Sequence, residues 1–408
     1  MSERQTENSP PLGAMGPRST ALRSLAPDLS RGLMLLLIAL VHASVFRSAW
    51  ASAGGPGYAV SDPLSQVLSC LVTLFADDRG FALFAGLFGY GVAQIYLRST
   101  AEGREWPVVR ALLRRRGRWL MVIGLLHTVL LAFGDILSVY GLVALLFAGA
   151  LRFTGRKLLT RAFTWLAVGT LVYSIGVPML YQVVSGDGSV PTNPADDLIY
   201  RLGWPLMIPL VIGTTVFPFL IGIWAARRRL LDEPERHRAF LRKVAVLGIV
   251  GTALGGLPYA LINTGVLGEA SPLAYIGAYW LNLIASYAGG FGYAAVIALI
   301  AIRLGNRRGP VVTALVATGQ RSMTCYLLQS VAWLGLGAPY LLGLGNTMSD
   351  LAALGTGVAV WVATVVIADV MRRRDIRGPA EVVYRRLTYG RAYATPKQRP
   401  EPATVGAA

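Results

Sequence analysis

Long apolar runs alternate with short polar gaps along almost the whole chain. The runs fall at about 32–50, 80–98, 117–133, 136–152, 160–184, 203–226, 243–264, 274–302, 323–345 and 351–371. Each comes close to the roughly 17–25 apolar residues that cross a bilayer as a helix. The pattern predicts an all-α, polytopic membrane protein of about ten transmembrane helices. A further apolar stretch, "DPLSQVLSCLVTLFAD" at 62–77, is short, and reading it as a crossing would break the alternation of the gaps. It is expected to form an outer interfacial or re-entrant helix.

The gaps themselves set the orientation. Arg18, Arg23 and Arg31 precede the first run, and seven arginines lie between Arg98 and Arg118. Further basic clusters occupy 152–161, 227–243, 303–308 and 372–377, whereas 51–79, 134–135, 185–202, 265–273 and 346–350 are poor in Lys and Arg. Short basic loops stay in the cytoplasm, so both termini are expected there. Residues 1–27 and 391–408 are polar and rich in Pro, Ser and Gly or Ala, which predicts cytoplasmic tails flanking a single domain at 28–390.

Composition agrees with a membrane setting and narrows the chemistry. The chain is 54% hydrophobic and 14% charged, with mean hydropathy +0.54; soluble domains carry about a quarter charged residues. The net charge of +17 rests on arginine, since Lys157, Lys243 and Lys397 are the only lysines among 38 basic residues. These arginines sit between apolar runs without a basic, aromatic-studded groove, which argues against nucleic acid as a partner and for membrane lipid. Cys70 and Cys325 show no metal-ligand spacing and no disulfide framework.

Three stretches with ionisable residues inside or beside apolar runs draw attention. In "DLSRGLMLLLIALVH", Arg31 and His42 are eleven residues apart. On a helix that is about three turns and roughly 16 Å, so both share one face. Asp28, three residues before Arg31, is placed to pair with it, although both charges also suit a purely topogenic role at a helix end. In "GLLHTVLLAFGDIL", His127 lies within an apolar run and Asp135 follows eight residues later at a turn. Ionisable groups at membrane depth usually face a cavity or a partner, and histidine exchanges protons near neutral pH. A structural hydrogen bond to a neighbouring helix is the competing reading for each. The cluster "LLRRRGRWL" holds Arg114, Arg115, Arg116 and Arg118. It serves either as an anchor to anionic lipid or as a phosphate-binding rim. Small residues in "FALFAGLFGYG" suggest close helix packing, and "SYAGGFGYA" at 286–294 suggests a break in its helix.

The segments "LFAGLFGYGVAQIYLR", "RRRGRWLMVIGLLHTVLLAFGDILSVYGL", "GQRSMTCYLLQS" and "RGPAEVVYRRLTYG" resemble successive motifs of the YeiB-like bacterial membrane proteins, in order, from about Asp28 to Tyr389. That family is similar to the transmembrane acyltransferases, including the acyltransferase-3 proteins and the lysosomal enzyme that acetylates heparan sulfate glucosamine. The spacing of Arg31 and His42 is similar to the acyltransferase-3 pattern, in which the histidine is catalytic and the arginine is required. The chain departs from the usual YeiB-like pattern at His42, often asparagine there, and at Cys325, and its C-terminal "GPAEVVYR" keeps Gly378, Pro379, Glu381 and Arg385.

The resemblance implies an acyltransferase of the bacterial cytoplasmic membrane. It would move an acyl group, acetyl first among candidates, from cytoplasmic acyl-CoA to a hydroxyl or amine at the outer face, on a glycan or lipid acceptor. His42, His127 and Asp135 are the candidate catalytic residues; Arg31 and Arg114, Arg115, Arg116 and Arg118 are the candidate donor-binding residues. No metal is expected, and a homodimer is left open. The alternative is a proton-coupled carrier of a small solute or lipid, with the two histidines and Asp135 as its relay.

Overall fold

The computed structural model describes residues 25–51, 63–185, 191–305, 307–346 and 348–390; the tails at 1–24 and 391–408 lie outside the described residues. Helices account for the elements throughout, with no strand among the described residues. The elements are α1 (Leu25–Ala51), α2 (Pro63–Phe75), α3 (Arg79–Ala101), α4 (Trp106–Leu130), α5 (Ile136–Phe147), α6 (Gly155–Ser185) and α7 (Pro194–Leu202). They continue with α8 (Trp204–Arg227), α9 (Arg238–Asn263), α10 (Pro272–Leu304), α11 (Pro310–Gln320), α12 (Ser322–Gly337), α13 (Asp350–Arg373) and α14 (Pro379–Tyr389).

Every predicted crossing coincides with a helix. Among the described residues, seven helical segments are long and apolar enough to cross a membrane, with α2 and α3 taken together as one. The other three predicted crossings differ for visible reasons. α4 carries its arginines in its first half, α5 has 12 residues, and α12 has 16. The ninth run, 323–345, is helical as α12 only as far as Gly337, and it is preceded by α11, a helix not foreseen from the sequence, which meets α12 end to end at Arg321. Helix α1 begins at Leu25, seven residues before the apolar run, because Asp28 and Arg31 continue the helix as an ion pair at 3.1 Å. Residues 25–27, expected in the N-terminal tail, are therefore helical.

Close backbone contact holds the bundle together. A Cβ at Gly89 or Gly222 would collide with the facing backbone, so α3 and α8 can approach this closely only with glycine there. The same holds for Gly32 and Gly319 between α1 and α11. The glycines of 286–294 do not interrupt α10, contrary to expectation. That helix is continuous, and Gly290 and Gly292 seat it against α3 and α9. The 62–77 stretch forms the 13-residue helix α2, about 20 Å long by helical rise, packed on α9.

The C-terminal "GPAE" stretch has a structural task. The Glu381 carboxylate accepts hydrogen bonds from the Met323 amide at 2.8 Å and the Thr324 amide at 3.1 Å. It thereby caps α12 from another element, supplying an acceptor that the start of a helix otherwise lacks. Arg321 donates to the Ile376 carbonyl at 2.7 Å, and Gln329 ties α12 to α1 through the Leu35 carbonyl at 3.2 Å.

Candidate active site

A cavity of about 710 Å³ opens at the end of the bundle where α1 begins, α3 ends and α14 lies. This falls within the roughly 300–1,000 Å³ typical of small-molecule sites. Arg31, Arg98, Arg116, Arg229 and Arg385 line it, and Phe84, Phe88, Tyr140, Ile136, Leu137 and Tyr326 form deeper wall. Four carboxylates also reach this wall, and each is engaged. Asp28 pairs with Arg31, Glu233 with Arg229 and Arg236, Asp232 accepts from Tyr90 and Gln94, and Glu381 caps α12. Arg116 differs. It stacks on the rings of Tyr384 and Tyr389 at 5.0 and 5.9 Å and donates to the Tyr389 hydroxyl at 2.9 Å, with no carboxylate partner among the described residues. Burial pushes the Tyr384 phenol above its usual pKa, so it stays a neutral ring beside the cation.

The predicted rim is only partly brought together. Arg31 and Arg116 line the cavity, but Arg114 and Arg118 are exposed outside it, and Arg115 donates to the Leu387 carbonyl at 3.0 Å. Helical rotation explains this: consecutive residues point about 100° apart, so a run of arginines cannot all face one cavity. Arg98, Arg229 and Arg385 complete the lining instead. They come from α3, from the turn after α8 and from α14, and no local pattern marked them as neighbours.

At the inner end, both predicted histidines meet around one ring. Tyr326 lies 5.0 Å from the His127 ring and 6.3 Å from that of His42, centroid to centroid. The predicted pairing of His127 with Asp135 is present: Nδ1 lies 2.9 Å from Oδ1, with both side chains essentially buried. The second carboxylate oxygen accepts the Ser138 amide at 2.6 Å as the N-cap of α5, and Trp204 donates to the Asp135 carbonyl at 3.1 Å. Gly124 on α4 makes room for this acid, since a Cβ there would fall against the Asp135 carboxylate and the Ser138 amide.

One participant was not foreseen. Nε2 of His127 lies 2.8 Å from the Ser330 hydroxyl, and Ser330 is fully buried. An ionised carboxylate only accepts, so opposite one Nδ1 carries a proton and Nε2 faces the Ser330 hydroxyl, which also lies 3.4 Å from the Tyr326 carbonyl, its intrahelical acceptor. An acid, an imidazole and a hydroxyl are thus joined in one chain of hydrogen bonds. Ser330 is 203 positions from His127, and its "QS" context carries no local signal. Its one hint is its place one turn after Tyr326 on an apolar helix. None of the three lines the cavity itself, whereas Tyr326, Ile136 and Leu137, close to them in the chain or in contact with them, do.

The fold and this site define a helical membrane protein with a one-ended polar cavity leading toward a buried acid–imidazole pair. Residues 225–391 match the family described as Protein of unknown function (DUF418). The chain is 25% identical over 391 residues to the uncharacterized protein YeiB of Escherichia coli (strain K12), covering 90% of this chain and 96% of that one. It is also 25% identical over 348 residues to the uncharacterized protein YxaH of Bacillus subtilis (strain 168), covering 78% and 81% respectively. The resemblance to the YeiB-like family, read from the motifs, is borne out by these matches.

Proposed function

We propose that this protein is an acyltransferase of the bacterial cytoplasmic membrane. It takes an acyl group from cytoplasmic acyl-CoA and delivers it to a hydroxyl or amine on a glycan or lipid at the outer face. The observation that carries this reading is the course of the cavity, from a mouth holding Arg31, Arg116 and Arg385 to Tyr326, against which both histidines pack. Guanidinium groups suit the phosphates of the donor headgroup, and the apolar inner wall suits a pantetheine arm and a thioester.

Chemically, His127 is the general base. Asp135 holds its tautomer and favours the imidazolium that forms as the proton arrives. The acceptor oxygen or nitrogen attacks the thioester carbonyl carbon, its proton passes to a histidine, and the carbon–sulfur bond breaks. The thiolate leaves with that proton as free CoA. His42 also packs on the Tyr326 ring, 6.3 Å away centroid to centroid.

The experiment is transfer from labelled acetyl-CoA by the full chain in proteoliposomes, alongside equilibrium binding of CoA. Saturable CoA binding that weakens with salt, and weakens roughly tenfold or more in Arg116→Gln, is expected, because hydrogen bonds to charged groups contribute about 1.5–3 kcal/mol. Absence of CoA binding to the folded wild type would overturn the reading and favour a carrier.

A further inference from the structure

The chain from Asp135 through His127 to Ser330 has an arrangement that a base acting directly on an acceptor does not need. In that simpler mechanism Nε2 would face the space where the acceptor arrives. Here Nε2 is occupied by the Ser330 hydroxyl at 2.8 Å, while Nδ1 is fixed by the carboxylate at 2.9 Å. A third contact fixes the acid itself, through the Ser138 amide at 2.6 Å. Nucleophile, base and orienting acid within hydrogen-bond reach of one another is the geometry that activates a serine. Ser330 also sits one helical turn from Tyr326, which lines the inner cavity and packs on His127.

We infer that Ser330 is a nucleophile that carries the acyl group between donor and acceptor as a serine ester. This rests on the acyl-CoA reading above and deepens it. In the first half, the Ser330 oxygen attacks the thioester carbonyl carbon while its proton passes to Nε2 of His127. The new carbon–oxygen bond forms, the carbon–sulfur bond breaks, and the CoA thiolate leaves with the proton from Nε2. In the second half, the acceptor hydroxyl or amine loses its proton to Nε2 and attacks the serine ester. The Ser330 oxygen leaves and takes that proton back. The Tyr326 hydroxyl is buried and its proton has no acceptor among the described residues, which leaves a donor for the oxyanion of both halves.

A relay of this kind also fits the depth of the site. A covalent intermediate lets the donor leave toward one face before the acceptor approaches from the other, so the two need never occupy the site together. Ser330 itself does not line the cavity, but Tyr326, one helical turn before it, does.

The test is a rapid-mix experiment on full-length protein in detergent, with labelled acetyl-CoA and no acceptor. The expected result is a burst of free CoA approaching one per protein, with the label retained on the peptide holding Ser330 and lost on adding acceptor. Ser330→Ala should abolish burst and labelling while binding CoA as the wild type does, which also reports that the variant is folded. Ser330→Cys should restore labelling as a thioester. Steady transfer by the wild type together with normal transfer by Ser330→Ala would overturn the nucleophile and leave the acyltransferase reading standing. Failure of the wild type both to bind CoA and to release it from acetyl-CoA would overturn the acyltransferase reading, and the nucleophile with it. Label on any other residue would also overturn the assignment.

Discussion

The two histidines offer a comparison within one molecule. His42 sits on α1 in line with Arg31, where sequence spacing made it the more prominent candidate. Its ring meets Tyr326 at 6.3 Å, farther than the 5.0 Å of His127 from the same ring. His127 lies at the end of α4, beside the turn that reverses the chain into α5, and both of its nitrogens have directional partners. What His127 shows is preorganisation: a histidine whose tautomer is fixed by a buried carboxylate needs no rearrangement at the moment of proton transfer.

The largest effects should therefore fall on the His127 side. His127→Ala should lower acyl transfer by about 10²–10⁴-fold, the usual contribution of a general base. Asp135→Asn should lower it comparably while keeping the shape, because an amide no longer enforces the same tautomer. Steady-state rates in proteoliposomes check both, with unchanged CoA binding as the control. If His42→Ala proves as damaging as His127→Ala, the comparison breaks and the two rings act as one unit.

That ranking shows what could be read from the sequence. Apolar period and basic gaps located every helix of the ten crossings, since burial in lipid leaves its mark on each residue in turn. The pairing of His127 with Asp135 was also legible, because eight residues and one turn separate them. Ser330 and the arginines at 98, 229 and 385 were not, as they join the site only through packing between distant helices. Helix α11, which precedes the ninth run, was not foreseen, and its junction with α12 was hidden for a similar reason. It depends on Glu381, almost sixty positions away, to cap the new helix. The arginine cluster misled through its density: nearness in sequence does not survive rotation about the α4 axis.

The next effect sharpens the comparison from the supporting side. Gly124 has no counterpart at His42; it exists to let the Asp135 carboxylate approach α4. Gly124→Ala should destabilise the protein by about 1–3 kcal/mol, as overpacking does, and displace Asp135 from His127. The checks are a lowered thermal midpoint in detergent and a fall in kcat larger than any change in KM. A smaller response is expected for His42→Ala. Loss of its tilted ring contact with Tyr326, about 0.5–1.5 kcal/mol, should contribute about tenfold or less to the rate, with CoA binding intact.

The smallest effect concerns the other end of the cavity, where the same contrast between held and loose groups recurs. Arg116 is clamped between Tyr384 and Tyr389, whereas Arg114 and Arg118, only two positions to either side, point into the surroundings. Exposed charges interact through high dielectric and are screened within about a Debye length, near 8 Å at physiological salt. Exposed ion pairs typically contribute about 0–1 kcal/mol for that reason. Neutralising both in Arg114→Gln/Arg118→Gln should thus change the CoA dissociation constant by about twofold or less at 0.15 M salt. What change there is should shrink further as salt rises. The effect of Arg116→Gln should persist under the same salt, because its planar group sits on tyrosine faces away from bulk water. Titrating CoA against both variants at low and high salt separates the two cases. Equal losses would mean that the mouth attracts the donor only by its overall charge, and that the position of Arg116 confers nothing specific.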